Sequence, residues 1–187
     1  MSDRLSRAVG AFLGLACGDA YGRPLEFVGL PHVRSLAVPV MDGLIWTDDT
    51  HMSLYLGKAI LDLPEGPLQE DALGQAIGQR FVEWLHDPLT PSTAPGGTCL
   101  SGTRAFEAGK GWRNSGLLQS DGCGAVMRVL PIAIAYQGEE RRVAAWISSQ
   151  VTHAHPNALS AAEATAELVG QVLEKGRFDT EMVKEVI

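Results

Sequence analysis

Three cysteines in 187 residues, Cys17, Cys99 and Cys123, are too few and too scattered for a disulfide framework, and they make no recognisable zinc pattern. They fit a reduced, cytoplasmic protein. Nor is there a block of Lys or Arg, or any interleaving of aromatic with basic residues, so the footprint of a nucleic-acid binder is missing. The formal charge of -7, from 22 acidic against 15 basic residues, points the same way. Helix N-termini or metal ions can still give such a chain local positive charge for an anionic ligand. Long hydrophobic runs are absent too. The apolar stretch "AVGAFLGLACGDAYG" after Arg4 and Arg7 is interrupted by glycines, too short for a membrane span and unlike a signal peptide. It reads as a buried helix, which argues against a membrane partner. Strand-helix alternation and internal repeats are not seen.

What is present reads as one soluble all-α domain, 45% hydrophobic and 20% charged, spanning 1–187. Leu5 to Ala16 places Leu5, Val9, Phe12, Leu13 and Ala16 on one face, with Gly10 and Gly14 four apart, as for close helix packing. Asp49 or Thr50 can cap a second helix, and a third is expected from Leu68 to Leu85. "HDPLTPSTAPGG" cannot sustain a helix. A short helix from Ser101 to Ala108 and a turn through "GKGWRNSG" follow. "GAVMRVLPIAIAY" is apolar enough for full burial; strands are compatible, but its alanines favour helix, divided or kinked at Pro131. Two more helices are expected at Glu139 to Val151 and Pro156 to Glu174, then a turn and a helix start in "GRFDTEMVKEVI".

Chemistry concentrates at a few places. In "IWTDDTHMSLYL", Asp48 and Asp49 between Thr47 and Thr50 can be an ordinary helix start, or hard oxygen ligands for a cation such as Mg²⁺. In "CGDAYGRPLEF", Asp19 between Gly18 and Gly22 can cap a turn, and Glu26 can be a solvent-facing carboxylate. Gly122 and Gly124 in "SDGCGAVMRVLP" can cradle an anion by their amides. Arg128, within a run suited to burial, either binds a carboxylate or snorkels outward, and Met127 reads as core. Cys123 is a nucleophile only with a base nearby, and neither His153 nor His155 can be assigned to it. His153 can face a ligand or balance a helix dipole, and His155 lies in the turn before Pro156. "GGTCLSGTR" at 96–104 can present amides and hydroxyls, or be a flexible connection.

Taken in order, "GAFLGLACGDAYGRPLEF" at 10–27, "WTDDTHMSLYL" at 46–56, "GGTCLSGTR" at 96–104 and "GCGAVMRVLPIA" at 122–133 followed by "THAHPNA" at 152–158 resemble the ADP-ribosylglycohydrolase family. The resemblance covers nearly the whole chain. It implies an all-α fold around a cleft with two magnesium ions, and hydrolysis of ADP-ribosyl bonds on a modified protein or a small ADP-ribose derivative. On this resemblance Thr47, Asp48 and Asp49 form one half of the metal site, with Asp49 a bridging ligand. Glu26 and Asp49 are the carboxylates that position water. Asp19, Gly96, Gly97, Thr98, Gly122, Cys123, Gly124 and His153 face the ADP-ribose, Asp19 by orienting the site.

The family supplies the other half of its metal site from a later Asp-x-Asp-Thr or Asp-x-Asp-Ser segment, and nothing here matches it. Asp179 and Thr180 in "RFDTEMV" are read as a helix start instead. The resemblance therefore implies the first two-thirds of a family domain, with an ADP-ribose-binding but inert form as the alternative. It also predicts exposed apolar surface towards the C-terminal side, available to a second polypeptide or to self-association.

Overall fold

The computed structural model describes residues 3–28 and 44–186, all helices and turns apart from one isolated bridge between Leu117 and His153. Eight α-helices are described: α1 (Asp3–Gly22), α2 (Asp48–Leu61), α3 (Glu70–His86), α4 (Gly97–Ala105), α5 (Leu130–Ala135), α6 (Gly138–Gln150), α7 (Pro156–Lys175) and α8 (Thr180–Val186). Short 3₁₀ turns cover Arg23–Leu25, Thr90–Thr93 and Cys123–Arg128. None of the helices among the described residues is long and apolar enough to cross a membrane.

The core is built by α2, α3, α6 and α7. Met52, Leu56 and Ala59 of α2 meet Leu73, Ile77, Phe81 and Trp84 of α3, and these spacings of three and four put each set on one helix face. Small residues on α6 and α7, Ala144, Ala145, Ala162 and Ala166, let that pair pack closely. Pro131 does divide the 123–135 stretch: a 3₁₀ turn precedes it and α5 begins around it, the proline sitting in the first turn where no amide donor is needed. Asp179 behaves as a helix start, its carboxylate accepting from the Glu181 amide.

Three expectations need correction. The α1 helix is longer than expected, but its apolar stripe is not buried: Leu5, Val9 and Leu13 are 51%, 44% and 62% exposed, and only Ala20 is buried. A methyl group added at Gly10 or Gly14 would meet nothing within 4 Å, so no helix packs closely there among the described residues. Helix α4 starts at Gly97, four residues earlier than expected, and runs into a π-turn at Phe106–Lys110 that Gly109 completes with φ 89°. Exposed large apolar residues lie on α1, at Phe27 and Ile45 beside the α2 start, at Leu54 and Leu61 on α2, and at Leu89, Leu118 and Phe178; towards the C-terminal side Phe178 is exposed and Met182 is buried, and Ile187 lies outside the described residues.

Candidate active site

The first wall of the site is the start of α2. Its N-cap is Thr47, not Asp49 or Thr50, and the Thr47 side chain does not cap the helix itself. The carboxylate comes from α1 instead. Asp19 Oδ2 accepts from the Thr47 amide (2.8 Å), the Thr50 amide (3.1 Å) and the Thr50 hydroxyl (2.5 Å), and Oδ1 accepts from the Thr47 hydroxyl (2.6 Å). A residue 28 positions away thus satisfies the orphan amides of α2, and this fixes where Asp48 and Asp49 stand. Both oxygens of Asp19 are engaged in this way, so its geometry is that of an orienting group. Thr50, a cap candidate from the sequence, is instead the second anchor of Asp19.

Asp48 and Asp49 are left with fewer donors. Asp48 is 4% exposed, and its Oδ2 accepts from the Gly96 amide at 2.9 Å. Desolvation pushes its pKa up to about 6, against the Gly96 hydrogen bond and aided by the charges of Asp49 and Glu26. Asp49 Oδ2 lies 3.0 Å from the Thr47 hydroxyl, whose single proton already has the shorter 2.6 Å acceptor in Asp19. Desolvation and then the Asp19 charge raise the Asp49 pKa, opposed by Thr47. Glu26 is exposed and lines the same cleft. Its pKa is also raised, by desolvation and the neighbouring Asp49 and Asp19 charges, with Arg23 opposing. Four carboxylates therefore stand together with little counter-charge.

The second wall is built by α4, the 122–128 turn and the segment entering α7. Gly97 and Thr98 lie in the first turn of α4, where amides have no intrahelical partner. The Gly96 amide is engaged by Asp48, which narrows what that bend can offer a ligand to the next residues. The Thr98 hydroxyl pairs with Ser120 at 2.8 Å, a contact nothing in the sequence signals. A Cβ at Gly102 would lie 2.5 Å from the Thr152 Cα, so only glycine lets α4 press this closely on the backbone that carries His153. A Cβ at Gly124 would likewise fall 2.7 Å from Cys99 Sγ and 2.8 Å from His153 Cε1.

Arg128 lies beneath this wall and corrects both readings made of it. It neither snorkels nor meets a carboxylate. Fully buried, it donates to the Gly124 carbonyl (2.6 Å), the Ser148 carbonyl (2.9 Å) and the Thr152 hydroxyl (2.6 Å), and its guanidinium stands 4.7 Å over the Phe81 ring. Met127 lines the cleft as well as packing on the core. His153 is 2% exposed, and burial together with the Arg128 charge lowers its pKa to about 3, so it is neutral and does not balance a helix dipole as a cation. His155 caps α7, its Nδ1 accepting from the Asn157 amide at 3.2 Å. No bond joins the exposed Cys123 to either histidine among the described residues, and burial drives the neighbouring Cys99 thiol up to about 11. Neither cysteine has the setting of an activated nucleophile.

Both walls line one cleft of about 800 Å³, which brings together Asp19, Glu26, Thr47, Asp48, Asp49, Gly96, Gly97, Thr98, Gly122, Cys123, Gly124 and His153. Arg23 closes one edge by donating to the Ser92 and Ile45 carbonyls. On the other side of α2 lies a more apolar hollow of about 550 Å³ beside Trp46, Leu54 and Pro131. Its one carboxylate, Asp87, already accepts from the Tyr55 hydroxyl at 2.6 Å, so the chemistry belongs to the polar cleft.

The family model described as ADP-ribosylglycohydrolase matches residues 1–187. The chain belongs to the ADP-ribosylglycohydrolase family. It is 34% identical over 80% of its length to the ADP-ribosyl-[dinitrogen reductase] glycohydrolase of Rhodospirillum rubrum, covering 52% of that protein. It is 32% identical over 94% of its length to an uncharacterised protein of Archaeoglobus fulgidus, covering 58% of it. It is 30% identical to the ADP-ribosylarginine hydrolase Tri1 of Pseudomonas putida over 80% of its length and 42% of the relative. The chain spans about half the length of these curated relatives. A solved structure described as an ADP-ribosylglycohydrolase-related protein complex superimposes over the whole chain and 62% of its own, with TM-score 0.76 and 26% identity. The ADP-ribosylglycohydrolase fold is thus all-α here, as expected from the sequence.

A magnesium ion is the group the family resemblance implies, and the donor set of the acidic wall fits its chemistry. Thr47, Asp48 and Asp49 offer hard oxygens, Asp49 has an oxygen poorly served by hydrogen bonds, and desolvation, with neighbouring carboxylate charge adding to it, raises both aspartate pKa values. The fit is to one side of an ion. Among the described residues no three His, Cys, Asp or Glu side chains gather as a complete metal set.

Proposed function

We propose that the cleft serves magnesium-dependent hydrolysis of an ADP-ribosyl bond on a modified protein or a small ADP-ribose derivative. One observation carries the reading: a cation-seeking wall and a wall of amides and a neutral imidazole face each other across a cleft of about 800 Å³. A nucleotide-sugar needs both, a cation near its ribose hydroxyls and donors for its diphosphate. The relatives named for ADP-ribosylarginine and ADP-ribosyl-dinitrogen reductase are the ground for a modified protein as substrate.

Thr47, Asp48 and Asp49 would hold the ion, which when bound supplies Lewis-acid stabilisation to the ribose and the attacking water. The rest falls to the chain's own groups. Asp49 or Glu26 orients the water and accepts its proton, a task helped by a carboxylate pKa held above the usual range. Asp19 keeps Thr47 and the α2 start in register, so that Asp48 and Asp49 do not swing. Amides of Gly97 and Thr98 and of the Gly122–Gly124 bend hold the diphosphate, and His153 contributes a donor. Cleavage leaves positive charge at the anomeric carbon, and the acidic wall is placed to stabilise it.

A second reading, ADP-ribose binding without turnover, draws on the incomplete ligand set of the acidic wall. Release of ADP-ribose from an ADP-ribosylated arginine substrate, with magnesium and with a chelator, separates the two. Turnover that needs magnesium and vanishes in D48N/D49N supports hydrolysis; tight ADP-ribose binding without release supports the second reading; turnover indifferent to both changes sinks the metal role. The exposed stripe of α1 is the surface on which we place a second polypeptide or a second copy. A fully active monomer by sedimentation would remove the need for one.

A further inference from the structure

We infer that Arg128 and Thr152 are positioning residues that lock His153 as an Nε2-protonated donor facing the cleft. The count of available protons fixes the tautomer. Arg128 has only donors, and one of them reaches the Thr152 hydroxyl at 2.6 Å, so that oxygen is an acceptor towards Arg128. The Thr152 hydroxyl has one proton of its own and lies 2.8 Å from His153 Nδ1. That proton has no other acceptor among the described residues, so the hydroxyl gives it to Nδ1, which is then the unprotonated nitrogen. The ring proton of a neutral imidazole is left on Nε2.

The surroundings hold this arrangement rigid. The Thr152 backbone is fixed on both sides: its carbonyl accepts from the Leu117 amide (3.0 Å) and its amide donates to the Ser149 carbonyl (2.9 Å). The His153 amide donates to the Ser149 carbonyl at 2.7 Å. Arg128 is tied at the same time to the Gly124 carbonyl, so one guanidinium sets both the glycine bend and the imidazole beside it. Nε2 has no hydrogen-bond partner among the described residues, and His153 lines the cleft at Gly122 and Gly124. Burial and then the Arg128 charge lower the His153 pKa to about 3, so the ring is neutral near pH 7 and the donor is retained there. Such a donor suits an acceptor oxygen of an ADP-ribosyl group and cannot serve as a base towards Cys123. This role as a ligand donor rests on the function proposed above; the tautomer does not.

The test uses long-range proton–nitrogen NMR of the imidazole, with the His153 signals identified by their loss in His153→Gln. The wild type should show an unprotonated Nδ1 and a protonated Nε2 throughout pH 5–8. Thr152→Ser should keep this pattern, and Thr152→Val should mix the tautomers. With ADP-ribose as the probe, Thr152→Val should bind about tenfold more weakly and Thr152→Ser within about twofold of wild type, as expected for one hydrogen bond. A wild-type His153 protonated on Nδ1, or titrating near its ordinary value, overturns the lock even if Thr152→Val fails to fold. Equal tautomers and equal affinity in wild type and Thr152→Val overturn it as well. If the wild type binds no ADP-ribose at all, the donor role falls together with the proposed function, while the wild-type spectrum still decides the lock.

Discussion

The two walls of the cleft are built on opposite principles. The acidic wall gathers Asp48, Asp49 and Glu26, and desolvation, with the charges of neighbouring carboxylates adding to it, raises their pKa values. Across from it, two carbonyls and a hydroxyl take the Arg128 guanidinium, and the same hydroxyl donates to the imidazole. One wall is short of donors; the other holds its glycine bend and imidazole with its own groups and turns a donor outward. The difference is the one the proposed function needs: an acidic wall open to a cation, and a glycine wall tied down by protein groups before any ligand arrives.

Breaking the acidic wall should cost function far more than stability. D48N/D49N is expected to lower magnesium-dependent ADP-ribose release by about a thousandfold or more, in line with the several kcal/mol a catalytic ion supplies. Circular dichroism should show the helices intact, since the Asp19 bonds that set the α2 start remain. Breaking the glycine wall should do the reverse. Arg128→Met leaves the Gly124 and Ser148 carbonyls without their donor, and is expected to cost about 3–5 kcal/mol, a fall in melting temperature of roughly 10 °C by calorimetry.

The pH dependence of stability sharpens the same contrast. Asp48 has a folded pKa of about 6 against an ordinary 3.8. Between those values the folded chain binds a proton that the unfolded chain does not, so without metal this group's contribution is lost as pH rises through about 6. His153 has a folded pKa of about 3 against 6.5. There the unfolded chain binds the extra proton, and stability present above pH 6.5 is lost as pH falls towards 3. Urea unfolding of the metal-free chain from pH 4 to 6.5 should therefore show opposite changes: D48N makes stability climb more steeply with pH, and H153Q makes it climb less or fall, each by about 1–3 kcal/mol over the window. The smallest effect belongs away from both walls. Leu13→Ser on the exposed α1 stripe should shift stability by less than about 0.5 kcal/mol in the isolated chain, because no neighbour there loses packing.

Much of the fold was legible because its helices announce themselves: the Leu73, Ile77, Phe81 and Trp84 spacing marks one face of α3, and Pro131 marks a break. The fate of α1 was not. A periodic apolar face says that a helix has something to bury, and it does not say what will cover it. The candidate residues of the cleft were found from four motifs, and the structure brings all of them to one place. What the motifs hid were the partners. Asp19 caps a helix 28 residues away, and Arg128 finds two carbonyls and a hydroxyl where a carboxylate would be the usual guess. Thr152 stands next to His153, yet its role depends on a donor 24 residues distant. Such roles come from packing, and spacing along the chain does not carry them.

The claim that the acidic wall is made for a hard cation is tested most directly by magnesium titration calorimetry at pH 7.5, with ADP-ribose present, on wild type and D48N/D49N. Binding heat in the wild type that disappears in the variant is the predicted result. Identical heats in both proteins, or none in a folded wild type, would contradict it.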